Sequence, residues 1–74
     1  MNFLSKEEVE YYRKRYPIGS RIVLEYMEDA YAVEPGTRGT VRCVDDVGTI
    51  HVIWDNGRRL GVVPKVDSFG PCVD

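Results

Sequence analysis

Glycine-marked turns cut the stretch from Pro35 to Val63, PGTRGTVRCVDDVGTIHVIWDNGRRLGVV, into runs too short for anything but strands. The motif DDVG opens with Asp and closes with Gly, the pattern of a type I turn ending in a glycine bulge. A stronger hairpin signal is DNG, because Asn56 and Gly57 both tolerate the positive φ of a type I′ turn. Pro35-Gly36 suits a type II turn, and Gly36 and Gly39 are expected in conformations closed to other residues. Within the runs, Ile50, Val52 and Trp54 share a face, and Leu60 and Val62 return toward the same core. Upstream, RIVLEYM alternates, with Ile22, Leu24 and Tyr26 on one side and Val23, Glu25 and Met27 on the other.

The segment LSKEEVEYYRKRYP has a different period. Ser5 and Glu8 have the spacing of a capping box, Leu4 and Val9 that of a hydrophobic staple, and Pro17 stops the helix. Glu7 and Glu8 meet the positive end of the helix dipole, while Arg13, Lys14 and Arg15 meet the negative end. Val9, Tyr12 and Tyr16 make a narrow apolar stripe, enough to dock the helix on a sheet.

These elements predict a mainly β fold: a small SH3-like barrel of about five antiparallel strands, the last after Pro64, with a short N-terminal helix. The 74 residues form a single domain, 1–74, with the helix addition at 1–16, the barrel at 17–70 and a tail at 71–74. Ten basic and twelve acidic side chains give a net charge of −2, so any attraction to phosphate must come from a local face. Cys43 and Cys72 are too few for a disulfide scaffold and read as reduced thiols, Cys43 packing in its strand as a small hydrophobe. One histidine and two distant cysteines lack the close pairs of a zinc site, and no apolar run has signal or membrane length. No metal, cofactor or membrane contact is expected, and the chain is expected in the cytoplasm.

From Tyr16 to Phe69 the sequence resembles the bacterial domain-of-unknown-function family numbered 4314, through PGTRGTV, VDD followed by GTIHV, and WDNG with LGVV. Members resemble accessory proteins of phages and conjugative elements of Firmicutes, which implies a cytoplasmic role in a mobile-element setting. The resemblance brings no activity with it. PGTRGTV is also similar to the glycine-turn-strand of KOW segments, and VIWDNG to strands of other small SH3-like modules.

Catalysis has little to work with. His51 falls on the outer face of its strand, and Asp45 and Asp46 have the positions of turn residues rather than of a carboxylate pair. Binding fits better. Tyr31 stands near Glu28 and Asp29 in a loop beside Tyr26 and Trp54, an aromatic floor with an acidic rim suited to a basic or proline-rich peptide. Trp54 shares a face with Ile50 and Val52, which admits a core place as well as a groove place. The expectation is a noncatalytic binding module of a phage or mobile element that engages a host or element protein, inhibition of host defence being one form of this. The alternative is capture of RNA, DNA or a signalling nucleotide by Arg38, Arg42, Arg58 and Arg59 with His51. Strand edges and a helix of this size serve a monomer and a homo-oligomer equally.

Overall fold

Ser5 starts the helix as its spacing predicts. Its Oγ accepts from the Glu8 N–H at 3.1 Å, and Glu8 Oε1 accepts from the Ser5 N–H at 2.9 Å, closing the capping box ahead of α1 (Lys6–Arg15). The computed structural model describes residues 4–72, so residues 1–3 of the helix segment and 73–74 of the tail lie outside it. Among the described residues, four antiparallel strands form one open sheet: β1 (Arg21–Tyr26), β2 (Arg38–Val44), β3 (Ile50–Trp54) and β4 (Ser68–Pro71), in the order β3-β2-β1-β4. Five strands were expected. The missing one, around Arg59 to Val62, keeps register with β3 but supplies only the isolated bridges Ile53 to Arg59 and Ile50 to Val62. Between these bridges the Leu60 carbonyl accepts the Trp54 indole N–H at 2.8 Å.

Both hairpin turns are built alike. At the first, Gly48 N–H donates to Asp45 O and Asp45 N–H to Thr49 O; at the second, Gly57 N–H donates to Trp54 O and Trp54 N–H to Arg58 O. Gly48 and Gly57 have φ of 92° and 89°, whereas Asn56 does not enter the left-handed region. The DNG turn is therefore a type I turn with a glycine bulge, not the expected type I′. The extra residue is accommodated because Asn56 Oδ1 accepts the Arg58 N–H at 3.0 Å. Gly36 has the positive φ of a type II turn, closed by Thr37 N–H to Glu34 O. Gly39 has ordinary dihedrals and is required for space instead: a Cβ there would lie 2.5 Å from Val52 Cγ1.

Two bulges alter the alternation read from the sequence. Register shifts between Leu24 and Tyr26, so Tyr26 turns out to solvent and Met27 joins the core in its place. Register shifts again between Val41 and Cys43, which leaves both Arg42 and Cys43 exposed, so Cys43 does not pack as a hydrophobe. Elsewhere the expected parity holds: Ile22, Leu24, Val41, Ile50, Val52, Trp54 and Val62 fill the interior. Val9 and Tyr16 of the α1 segment close one end of it. Leu4 packs over Gly48, and Arg13 donates to the Val44 carbonyl at 3.1 Å, so α1 is held to the β2–β3 turn at two points.

Candidate functional site

The sheet face turned away from the core is where the chain has side chains to spare. Period-2 alternation places Arg21 and Val23 of β1, Arg38 and Thr40 of β2, and His51 and Ile53 of β3 on it. Register sets Arg21 beside Thr40, Thr40 beside Ile53 and Ile53 beside Arg59. The same alternation in β2 adds Arg42. Together Arg42, His51, Val52, Ile53 and Arg59 line a groove of about 240 Å³.

The acids around this face are already engaged. Arg21 grips Asp55 with two hydrogen bonds, Nη1 to Oδ1 at 2.8 Å and Nη2 to Oδ2 at 2.6 Å, and also donates to Thr40 Oγ1. That guanidinium holds the Asp55 carboxyl below the usual carboxylate range, against the opposing effect of burial and with Arg38 adding to it. Asp45 Oδ1 accepts the N–H groups of Val47 and Thr49, and its Oδ2 lies 2.9 Å from His51 Nε2. Burial alone would raise Asp45, but the His51 contact and the two backbone donors outweigh it and leave its pKa lowered. Glu25 accepts from Ser68 Oγ. Among the described residues, Arg42 and Arg59 have no carboxylate partner, so the groove has a net positive edge.

Three of the five residues expected to bind anions, Arg42, His51 and Arg59, thus meet in one groove, and Arg38 lies on the same face. Arg58 does not join them. Its guanidinium turns to the other side of the hairpin and donates to the carbonyls of Tyr31 and Ala32, which ties the loop between β1 and β2 to the hairpin tip. Those donors serve the fold and are not available to a phosphate.

The other expected surface comes apart. Trp54 is only 1% exposed, with its indole N–H satisfied by Leu60, so it is core and supplies no floor for a peptide. Tyr26 and Tyr31 are 59% and 76% exposed, yet no aromatic platform joins them. Asp29 spends a carboxylate oxygen on the Tyr31 N–H at 2.8 Å, and the Glu28 N–H is held by Asp67 Oδ1 at 3.0 Å. The loop is a strap that the Asp29 carboxylate helps to build.

The sequence-based set of anion-binding residues omits Arg21, although its parity with Val23 places it on the same outer face. Among the described residues, no group of three or more His, Cys, Asp or Glu side chains is placed to hold a metal ion, and no helix is long and apolar enough to cross a membrane. No curated protein and no solved structure matches the chain. The family model described as a domain of unknown function, DUF4314, matches residues 5–71, a range that takes in α1, where the sequence resemblance began at Tyr16.

Proposed function

Because the chain belongs to the DUF4314 family, which is described only as a domain of unknown function, its role must be read from its surface, and we propose a noncatalytic binding module that captures a phosphate-bearing ligand on the outer sheet face. The observation that carries this reading is the groove with Arg42 and Arg59 unpaired beside His51. Guanidinium groups present paired donors matched to phosphate oxygens, and the half-buried Ile53 gives a sugar or base apolar surface to rest on. Binding without turnover is supported by the setting of the one histidine. The His51 and Asp45 side chains are 49% and 37% exposed, open to the water that acid-base catalysis excludes.

The architecture is proposed to be a partly opened SH3-like barrel. Support comes from the connectivity: a meander from β1 through β3 continues into the bridged Arg59–Val62 segment, and β4 then returns to the free edge of β1. In a phage or conjugative element such a face would sequester a nucleotide signal or hold RNA or DNA. The test is fluorescence-detected binding of a labelled single-stranded RNA and of nucleotides across a salt series, with Arg42→Glu and Arg59→Glu in parallel. Affinity should fall steeply with salt and drop at least tenfold in either variant. A flat salt response, or unchanged binding in both variants, removes the reading.

A second reading keeps a protein partner on the strap, because Tyr31 stands out from a loop that Arg58 fixes in place. Joint replacement of Tyr31 and Asp29 should then abolish capture of that partner, and unchanged capture discards it.

A further inference from the structure

The aromatic groove absent from the Tyr31 loop exists elsewhere, where α1 crosses the turn before β4. Tyr11, Tyr12, Tyr16, Pro64, Lys65 and Phe69 line a cleft of about 300 Å³ there. Tyr12 and Tyr16, one helical turn apart, hold their rings within 10° of parallel at 6.5 Å between centroids. Tyr11 stands edge-on to Tyr12 at 5.1 Å, and Phe69 closes the far wall 5.5 Å from Tyr16. The walls are flat rings, set by a helix and a strand rather than by a loop.

The hydrogen-bonding character of the cleft is one-sided. Asp67, which also borders it, has both oxygens committed, Oδ1 to the Glu28 N–H at 3.0 Å and Oδ2 to the Val63 N–H at 2.8 Å. Ser68 donates its hydroxyl to Glu25. Among the described residues, the hydroxyls of Tyr11, Tyr12 and Tyr16 have no partner, and Lys65 spends one N–H on Glu8 and keeps others. Tyr16 is largely buried, which raises its phenol above the ordinary range despite Arg15. The cleft therefore offers hydroxyl and ammonium donors between aromatic plates, while both oxygens of its one carboxylate already accept a backbone N–H.

The electrostatic complement is a chain rich in carbonyl acceptors, poor in N–H donors and furnished with flat apolar rings. Proline answers each term: it lacks the amide proton, and its polyproline II helix leaves every carbonyl free. We propose that the cleft between α1 and the Pro64–Asp67 turn binds a proline-rich segment of a partner protein, its pyrrolidine rings against Tyr11, Tyr12 and Phe69 and its carbonyls on the tyrosine hydroxyls. This site lies apart from the arginine groove, so one chain can hold a phosphate ligand and a protein segment together.

The test is titration of the isotope-labelled full chain with an acetylated octaproline, followed by two-dimensional amide spectra, with a Gly-Ser octapeptide as control. Shift changes should cluster at Tyr11, Tyr12, Lys65, Ser68 and Phe69. Tyr12→Phe, which keeps the ring and removes the donor, should weaken binding roughly three- to tenfold. Tyr11→Phe, at a 59% exposed position, repeats the measurement should the first variant unfold. Four outcomes overturn the proposal: no shifts, equal shifts with the Gly-Ser peptide, shifts centred on Tyr31 or Arg42, or cleft shifts that depend on protein concentration without peptide and so report a second copy.

Discussion

Replacing Gly39 by alanine tests the packing argument at its tightest point. A Cβ at this position would lie 2.5 Å from Val52 Cγ1, 2.7 Å from Trp54 Cε3 and 3.1 Å from the Ile53 carbonyl oxygen. Carbon atoms in contact prefer roughly 3.5 to 4.0 Å, so the methyl overlaps two side chains by about 1 Å. Neither can yield toward solvent, because Val52 and Trp54 are 2% and 1% exposed. Overpacking of this kind costs about 1 to 3 kcal/mol, and two simultaneous overlaps place Gly39→Ala near the upper figure. Domains are stable by only about 5 to 15 kcal/mol, so a large part of the margin goes. Urea unfolding followed by Trp54 fluorescence reads the loss directly. Val52→Ala removes Cγ1, and combined with Gly39→Ala it should cost less than the sum of the single changes by about 1 kcal/mol or more. Gly36→Ala is the contrast: nothing lies within 4 Å of its Cβ, and its cost comes from a φ of 89° alone, so it should add to Val52→Ala without coupling. A Gly39→Ala midpoint within about 0.5 kcal/mol of the parent, or strict additivity with Val52→Ala, refutes the reasoning.

Ser5→Ala should cost about 1 kcal/mol by removing the acceptor at the start of α1, seen as a lower urea midpoint with an unchanged slope. Arg58→Ala should leave global stability nearly intact while amide hydrogen exchange rises around Tyr31 and Ala32, whose carbonyls it holds. Glu8, Asp45 and Asp55 all have lowered pKa values, from Lys65, from His51 with the backbone donors, and from Arg21 respectively. Their contribution to stability is therefore complete above the ordinary carboxylate range and lost as pH falls through it toward the lower folded values, so thermal melting should drop on the acid side and Asp55→Asn should flatten that drop.

Local chemistry was readable in the sequence, and register was not. The Ser5–Glu8 box, the Asp45–Gly48 turn and the inward row of Ile50, Val52 and Trp54 each depend on residues a few positions apart, and each formed as its spacing implied. Plain alternation puts Tyr26, Met27 and Cys43 on the wrong side because a bulge is decided by the partner strand, and one extra residue reverses the side chains that follow it. Arg58 left the basic cluster for a similar reason. Its direction depends on carbonyls 26 and 27 positions away in sequence, and composition cannot show where they lie. The aromatic cleft is half visible in the sequence: Tyr12 and Tyr16 belong with Val9 to the docking stripe, but Tyr11 does not, and Pro64 and Phe69 complete the walls only once β4 has paired with β1.

The pairing of β1 with β4 also orders events at the ribosome. Translation delivers β1 about forty residues ahead of the strand that covers its second edge, so for that interval a nascent chain carries β1 with one row of amides unclaimed. Until Ser68–Pro71 emerges, that row is open to any extended strand nearby, and a chaperone contact at Ile22 to Leu24 would be most useful in that window.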